Sequence, residues 1–303
     1  MSLIRQTDFL IAGQGLAGSL LSWFLLQRGF TCIVVDPEIE STSSRVAAGL
    51  IHPIAGRRLL KSWRAETFIP FAHQTYKSLE QKLCLQFFYD YPVLEVFNSL
   101  RNQNDWLTIN DDPFGNEYLG KTFSSSQINP IINAPFGGQY LIKGGWLNTI
   151  QFLDAYKSSL IENDQFLNDT ITSDEIVLID RKVRWKNIEA NTFISCSGYQ
   201  AKDDKYFGYL PFNPAKGELL TIKSNDIPND FVINHALKII PKGDNTFLCG
   251  ATYSWDALNT IPTELGKEKL KTAINKSINC DYEIIRNIIT FYRDQFAFCR
   301  IER

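Results

Sequence analysis

The chain has 303 residues, 44% hydrophobic and 21% charged, with 31 lysines and arginines against 33 acids and a formal net charge of −2. That is the composition of a globular protein large enough for two domains, and its near-neutral balance offers no general nucleic-acid magnet. The six cysteines contain no CxxC pair and there are only three histidines, which argues against a zinc site, a redox dithiol or a histidine metal centre.

The first apolar run, Phe9 to Ala12, is too short for a signal-peptide core, and no stretch approaches the length of a membrane span. A cytoplasmic protein with no membrane span and no nucleic-acid partner is expected. Residues 8–12 read as a strand, and GQGLAG follows at once, with Gly13, Gly15 and Gly18. A helix pattern then runs from Ser19 to Arg28, Gly29 stops it, and a second strand from Thr31 to Val35 ends in Asp36. Each part serves dinucleotide binding. Gly13 permits the tight turn, Gly15 lets backbone approach a pyrophosphate, and Gly18 lets helix pack on strand. The amides around Leu16 and Ala17 open the helix and face the phosphates, while Asp36 accepts hydrogen bonds from ribose hydroxyls and repels a 2′-phosphate. This unit by itself suits FAD and NAD equally.

Residues 43–56, SSRVAAGLIHPIAG, are crowded with small side chains, which let backbone lie against a flat or charged ligand. Ser43 and Ser44 are donors for phosphate oxygens and Arg45 adds charge. Residues 57–83 carry a helical pattern. Its charge run of Arg57, Arg58, Lys61 and Arg64 reads as one wet helix face or as an attractor of an anionic substrate. From about 84 to 140 strand-like runs are broken by turns, as in FFYDYPVLEVF (87–97) and NDDPFGNE (110–117). A helix is expected around 148–161 and short strands near 175–195. Strands follow over Glu218–Lys223, Ala236–Pro241 and Thr246–Cys249, then a helix over Glu264–Cys280 with Lys and Glu on its wet face. Cys32, Cys196 and Cys249 lie in apolar strand-like runs and read as buried small hydrophobes.

Taken in order, GQGLAGS, VVDPE and SSRVAAGLIHP, then YLIKGGWLNTIQFLDAY (140–156), NTFISCSGYQA (191–201), PAKGELLTI (214–222) and KIIPKGDNTFLCGATY (238–253), resemble the D-amino-acid oxidase/glycine oxidase family of flavoproteins. The likeness extends from residue 8 to about 300. It implies an α/β fold: a Rossmann-type, glutathione-reductase-like three-layer FAD domain with an inserted β-rich α+β substrate domain. The boundaries expected are 1–80, 141–210 and 290–303 for the FAD domain, and 81–140 with 211–289 for the substrate domain. The implied cofactor is FAD, held by Gly13, Gly15, Leu16, Ala17, Gly18, Asp36, Ser43, Ser44, Arg45, Ala48, Gly49, Leu50, Val183, Ser197 and Gly198.

The resemblance further implies oxidation of the Cα–N bond of a small amino acid or amine, with oxygen or another electron acceptor regenerating the flavin. Arg300, placed with Ala297 in the family's AxxR stretch, is the candidate for the substrate carboxylate; an exposed terminal arginine is the plain alternative. Tyr253 is a candidate hydroxyl donor, and His52 a candidate tuner of the flavin ring. Lys216 reads as a solvated strand lysine. Family members continue past this stretch into a final helix facing the flavin pyrimidine, whereas this sequence stops at Arg303. A shortened chain with weak FAD retention and slow turnover is therefore expected. Competing readings are the flavin half of a tRNA wobble-uridine modifying enzyme, an inactive remnant of the FAD fold, and a nicotinamide-dependent dehydrogenase.

Overall fold

Two parallel apolar strands, β1 (Arg5–Ala12) and β2 (Cys32–Asp36), lie side by side with Leu10 opposite Ile33. Between them α1 (Leu16–Gln27) runs back along the sheet and ends at Gly29, whose φ of +81° suits glycine. The computed structural model describes residues 4–55, 59–110, 113–211, 214–255, 259 and 261–293.

A four-residue helix α2 (Ser43–Val46) leads to short strands β3 (Leu50–Ile51), β4 (Ile54–Ala55) and β5 (Leu60–Lys61), then α3 (Ala65–Leu83). Next come β6 (Phe88–Tyr89), β7 (Val93–Val96), α4 (Leu100–Ile109), α5 (Pro113–Tyr118) and β8 (Leu119–Phe123). β9 (Gly138–Leu141) and β10 (Gly145–Leu147) precede α6 (Thr149–Glu162), which is followed by β11 (Phe166–Asn168), β12 (Val177–Ile179), β13 (Lys182–Trp185) and β14 (Ile188–Ser195). The remaining elements are β15 (Pro214–Lys223), β16 (Val232–Asn234), β17 (Lys238–Gly243), β18 (Thr246–Gly250), α7 (Glu264–Ser277) and β19 (Glu283–Arg293).

The first large sheet has six strands in the order β11-β2-β1-β14-β13-β12, parallel from β11 to β14. Alternation of side chains sends Ile11 and Val34 to one face, where they pack on Phe152 and Tyr156 of α6 and Leu79 of α3. Leu10, Ile33 and Val35 go to the other face with Val183, Trp185 and Ile188. This is the Rossmann-type arrangement expected, with ligands received at the carboxyl ends of the strands.

The second sheet has eight strands in the order β19-β15-β18-β17-β16-β7-β9-β8. One face packs Leu220, Ile222 and Ile239 under Leu270 and Ile274 of α7. The opposite face carries Val93, Leu141, Leu219 and Val232 and receives Ile54 and Trp146, both from segments adjoining the first layer. The small sheet β3-β10-β6 stitches the two layers together. No helix among the described residues is long and apolar enough to cross a membrane.

Three expectations about local structure are corrected. The helix expected over 57–83 begins at Ala65, because Leu60 and Lys61 pair with Ala55 and Ile54 in a hairpin. Lys61 is therefore a strand residue and Arg64 the left-handed N-cap, so no single helix face gathers that charge run; Arg57 and Arg58 lie outside the described residues. The region 84–140 holds two helices among its strands. Ser99 caps α4 by accepting the Asn102 amide at 3.1 Å, and the helix buries Trp106. Lys216 is 3% exposed rather than solvated, its ammonium donating to Asn259 Oδ1 at 3.0 Å and to the Ile261 carbonyl.

Candidate cofactor and active site

Backbone crowding at the end of β1 requires glycine at two positions. Gly13 has a φ of +102°, and a Cβ there would lie 2.6 Å from the Cys196 carbonyl oxygen. A Cβ on Gly18 would fall 1.9 Å from the Gly13 carbonyl oxygen, so α1 could not seat against the turn. Gly15 is the N-cap of α1 and supplies no capping side chain. The first intrahelical bond is Ser19 N to Gly15 O, at 2.9 Å, so the first-turn amides have no partner within the helix. Leu16 N donates to Ser44 Oγ at 3.1 Å.

A cavity of about 320 Å³ opens over this turn, lined by Gly15, Ala17, Ser44, Ser195, Cys196, Ser197, Gly198, Ala201, Phe207 and Leu210. Its floor is small residues and helix N-terminus, a surface suited to an anion. Burial pushes the Cys196 thiol above its ordinary pKa, so the sulfur adds no charge. The Asp36 carboxylate faces the turn: Oδ2 accepts the Gln14 amide at 2.7 Å and Oδ1 the Glu38 amide at 2.8 Å. Each oxygen keeps a lone pair for a ribose hydroxyl. Gln14 is itself buried and ties the turn to α6 by donating to the Leu153 carbonyl at 3.0 Å. These features fit the adenosine diphosphate end of FAD: open amides, room where side chains would intrude, and an acid at the sugar position.

The 43–52 segment leaves the cavity and lands on the second sheet. Ser43 opens α2. Arg45, expected to charge the phosphates, is instead forked onto Asp154 of α6, at 2.6 and 3.2 Å. That hydrogen bond raises its pKa above the ordinary arginine value. The Ala48 carbonyl accepts Trp146 Nε1 at 2.9 Å, the Gly49 carbonyl accepts the Leu147 amide at 2.9 Å, and Leu50 pairs with Trp146.

His52 reaches β7. Its Nε2 lies 2.6 Å from Glu95 Oε1 and its Nδ1 2.5 Å from the Ile54 carbonyl. The Ile54 amide also points at Nδ1, at 3.3 Å, so that nitrogen faces a donor as well as an acceptor. Glu95 is 6% exposed and also takes Asn234 Nδ2 on both oxygens at 2.9 Å.

Of the residues proposed from sequence, Gly15, Ala17, Ser44, Ser197 and Gly198 line one cavity, and Gly13, Leu16, Gly18 and Asp36 build its turn. Ala48, Gly49, Leu50 and His52 carry the segment onto the second sheet. Val183 is buried in β13 beside Ile33 and Val35 and does not line the cavity. Tyr253 is 47% exposed, with its ring 4.7 Å from that of Trp255. Arg300 and Ala297 lie outside the described residues. The sequence reading missed Phe207 and Leu210 over the cavity, the Asp154 anchor, and Glu95. The signal for Glu95 was present: a lone acid inside the apolar strand VLEV is buried with a partner or not at all. Among the described residues no group of three or more His, Cys, Asp or Glu side chains is placed to hold a metal.

Comparison with known proteins agrees with this geometry. Glycine oxidase from Geobacillus kaustophilus superposes with a TM-score of 0.79 at 14% identity, covering 95% of this chain and 83% of that one. L-alpha-glycerophosphate oxidase from Mycoplasma pneumoniae, solved with FAD bound, gives 0.72 at 14% identity, covering 96% and 84%. Among curated proteins, the tRNA 5-methylaminomethyl-2-thiouridine biosynthesis bifunctional protein MnmC of Legionella pneumophila (strain Corby) is 24% identical over 289 residues, 86% of this chain and 40% of its own length. This chain thus spans well under half of that relative. The family model described as FAD dependent oxidoreductase (DAO) matches residues 8–292, and with a glycine turn, an acid and a cavity that fit FAD, the chain belongs to that family of FAD-dependent oxidoreductases.

Proposed function

We propose that this oxidoreductase oxidises the Cα–N bond of a small amino acid or related amine by hydride transfer to flavin N5. The observation that carries the reading is the course of residues 43–52. They start at the diphosphate turn and end with His52 on Glu95, so the cofactor segment meets the face of the eight-stranded sheet that carries Glu95. A substrate lying on that face is next to the place the segment leads to. FAD when bound supplies the hydride acceptor; the protein supplies binding, orientation and a dry surround. Trp146, 3% exposed and stacked on Tyr89 with centroids 5.2 Å apart, packs the apolar ground beside the segment's end. The His52–Glu95 pair fixes the segment's end. The names of the glycine oxidase and of the Legionella relative both concern amines, which supports an amine substrate, while the name of the glycerophosphate oxidase is the counter-example.

A second reading has a specific observation in its favour. The Legionella protein is named for a tRNA aminomethyl-uridine, so the substrate amine could belong to a modified nucleoside. The experiment is anaerobic mixing of FAD-reconstituted protein with glycine, sarcosine, D-amino acids and a tRNA bearing a substituted aminomethyl-uridine. Bleaching by a free amino acid supports the first reading, and bleaching by the tRNA alone supports the second. Bleaching by none of them overturns both and leaves an inactive member of the fold.

A further inference from the structure

Successive residues of β7 project to opposite faces of the eight-stranded sheet. Glu95 turns to His52, so Leu94 turns to the far side with its cross-strand partners Tyr140 and Ile233. Leu94 and Ile233 belong to the core that α7 covers. Between the chain that follows β8 and the chain that leads into β16, this far side opens into a second cavity of about 320 Å³. It shares no residue with the cavity over the glycine turn.

Three aromatic rings line it, those of Phe123, Tyr140 and Phe231. Tyr140 meets Phe123 edge-on with centroids 5.0 Å apart and Phe231 at 5.6 Å, so the rings form one packed wall. The negative faces of such rings attract cations. Phe123 already carries one, the Lys121 ammonium 5.0 Å from its centroid. Among the lining residues Asp230 alone is ionised. It is exposed, and its carboxylate has no hydrogen bond or ion pair with any described residue. After burial, the Asp230 charge is what holds the Tyr140 phenol above its ordinary pKa. The other polar side chains of the lining turn to their own loop: Gln127 Oε1 accepts the Ser124 amide at 3.0 Å and Asn129 Oδ1 the Ile131 amide at 3.1 Å.

An aromatic wall with one carboxylate suits a cation that asks for little hydrogen bonding. A primary ammonium brings three N–H donors, and this lining offers few free acceptors. A fully alkylated ammonium brings none; it presents methyl groups to the rings and charge to the acid. We infer that the cavity is a second binding site, for a small alkylated ammonium, across the sheet from the candidate active site. It stands independently of the amine-oxidation reading.

The test is calorimetric titration of FAD-loaded full chain with choline, with dimethylbutanol as its uncharged carbon isostere, and with ethanolamine. Choline binds saturably, and the other two bind at least about tenfold more weakly. Phe231→Leu, which keeps apolar bulk but no ring, weakens choline binding by about 3- to 30-fold, the range for one cation–aromatic contact. Asp230→Asn weakens it by about threefold or more, and Tyr140→Phe, which keeps the ring, leaves it within about twofold. All three variants keep their FAD, because the cavity lies across the sheet from the cofactor. Absence of saturable choline binding overturns the inference. So does isostere binding equal to that of choline, which would make the cavity an apolar crevice only, and so does ethanolamine binding as tightly as choline. Parental choline affinity in Asp230→Asn overturns it as well, at an exposed position where folding is not at stake.

Discussion

The Asp36 carboxylate accepts the Gln14 amide at 2.7 Å, which fastens the end of β2 to the glycine turn that follows β1. The acid that faces the sugar and the amides that face the diphosphate are thus one rigid unit. Its rigidity comes from close backbone contact, and the first prediction tests that contact.

Gly18→Ala forces a methyl to within 1.9 Å of the Gly13 carbonyl oxygen. Backbone cannot rotate away, so α1 must lift off the strand. The expected cost is about 2 kcal/mol, within the range for overpacking a tight contact, read as a lower urea midpoint. Gly15→Ala is the contrast: its methyl meets only the Ser44 hydroxyl, at 2.9 Å, which can turn aside. Its urea midpoint should match the parent's. Equal destabilisation of the two variants would show that the turn is looser than described.

Arg45 and Asp154 form a forked pair, with side chains 22% and 47% exposed. If the arginine serves to hold the 43–49 segment on α6, Asp154→Asn and Arg45→Ala each weaken FAD binding, by about tenfold if one charge-assisted hydrogen bond's worth of order is lost. If Arg45 instead swings onto the phosphates, Asp154→Asn frees it and FAD binds as well or better. Fluorescence titration of FAD into the two variants separates these outcomes.

Tyr76 and Tyr156 are both pushed up to about 12 by burial, from an ordinary value of 10.0. Each stays protonated in the fold at a pH where it ionises in the unfolded chain. Their contribution is whole below about pH 10 and is lost as pH rises toward 12. Tyr156 also shares a 2.9 Å hydrogen bond with Ser22. Tyr156→Phe should therefore lower stability at neutral pH yet flatten its alkaline decline, measured as the urea midpoint against pH. An alkaline decline as steep as the parent's would mean that Tyr156 does not carry the effect.

The first 36 residues were legible because every link is local: an apolar run, three glycines at fixed spacing, a helix-length run closed by Gly29 and a terminal acid. The later family segments located the strands of the second sheet for the same reason. What the sequence hid depends on partners distant in the chain. Arg45 reads as a phosphate donor, and no local pattern reveals that α6 brings Asp154 beside it. Lys216 reads as solvated until the 259–261 segment folds over it. Helix α4 was obscured because its apolar residues are few and its Ser99 cap resembles a turn. Glu95 and Asn234 meet only through the register of β7 on β16.

Glu95 and His52 are a buried pair, with side chains 8% and 16% exposed. Removing one partner strands the other, so Glu95→Ala should cost about 3 kcal/mol in urea unfolding. The double variant His52→Leu/Glu95→Leu should cost less than the two single changes added together, because neither buried polar group is then left without its partner. Strict additivity would mean that the two groups do not interact.

The most direct test of the central claim is equilibrium FAD binding to the parent chain, Asp36→Ala and Gly15→Val, with folding of each checked by circular dichroism. The account predicts saturable one-to-one binding by the parent, loss of about tenfold or more in affinity for Asp36→Ala, and no binding by a folded Gly15→Val, whose side chain occupies the diphosphate's place. Undiminished FAD affinity in both variants would contradict it.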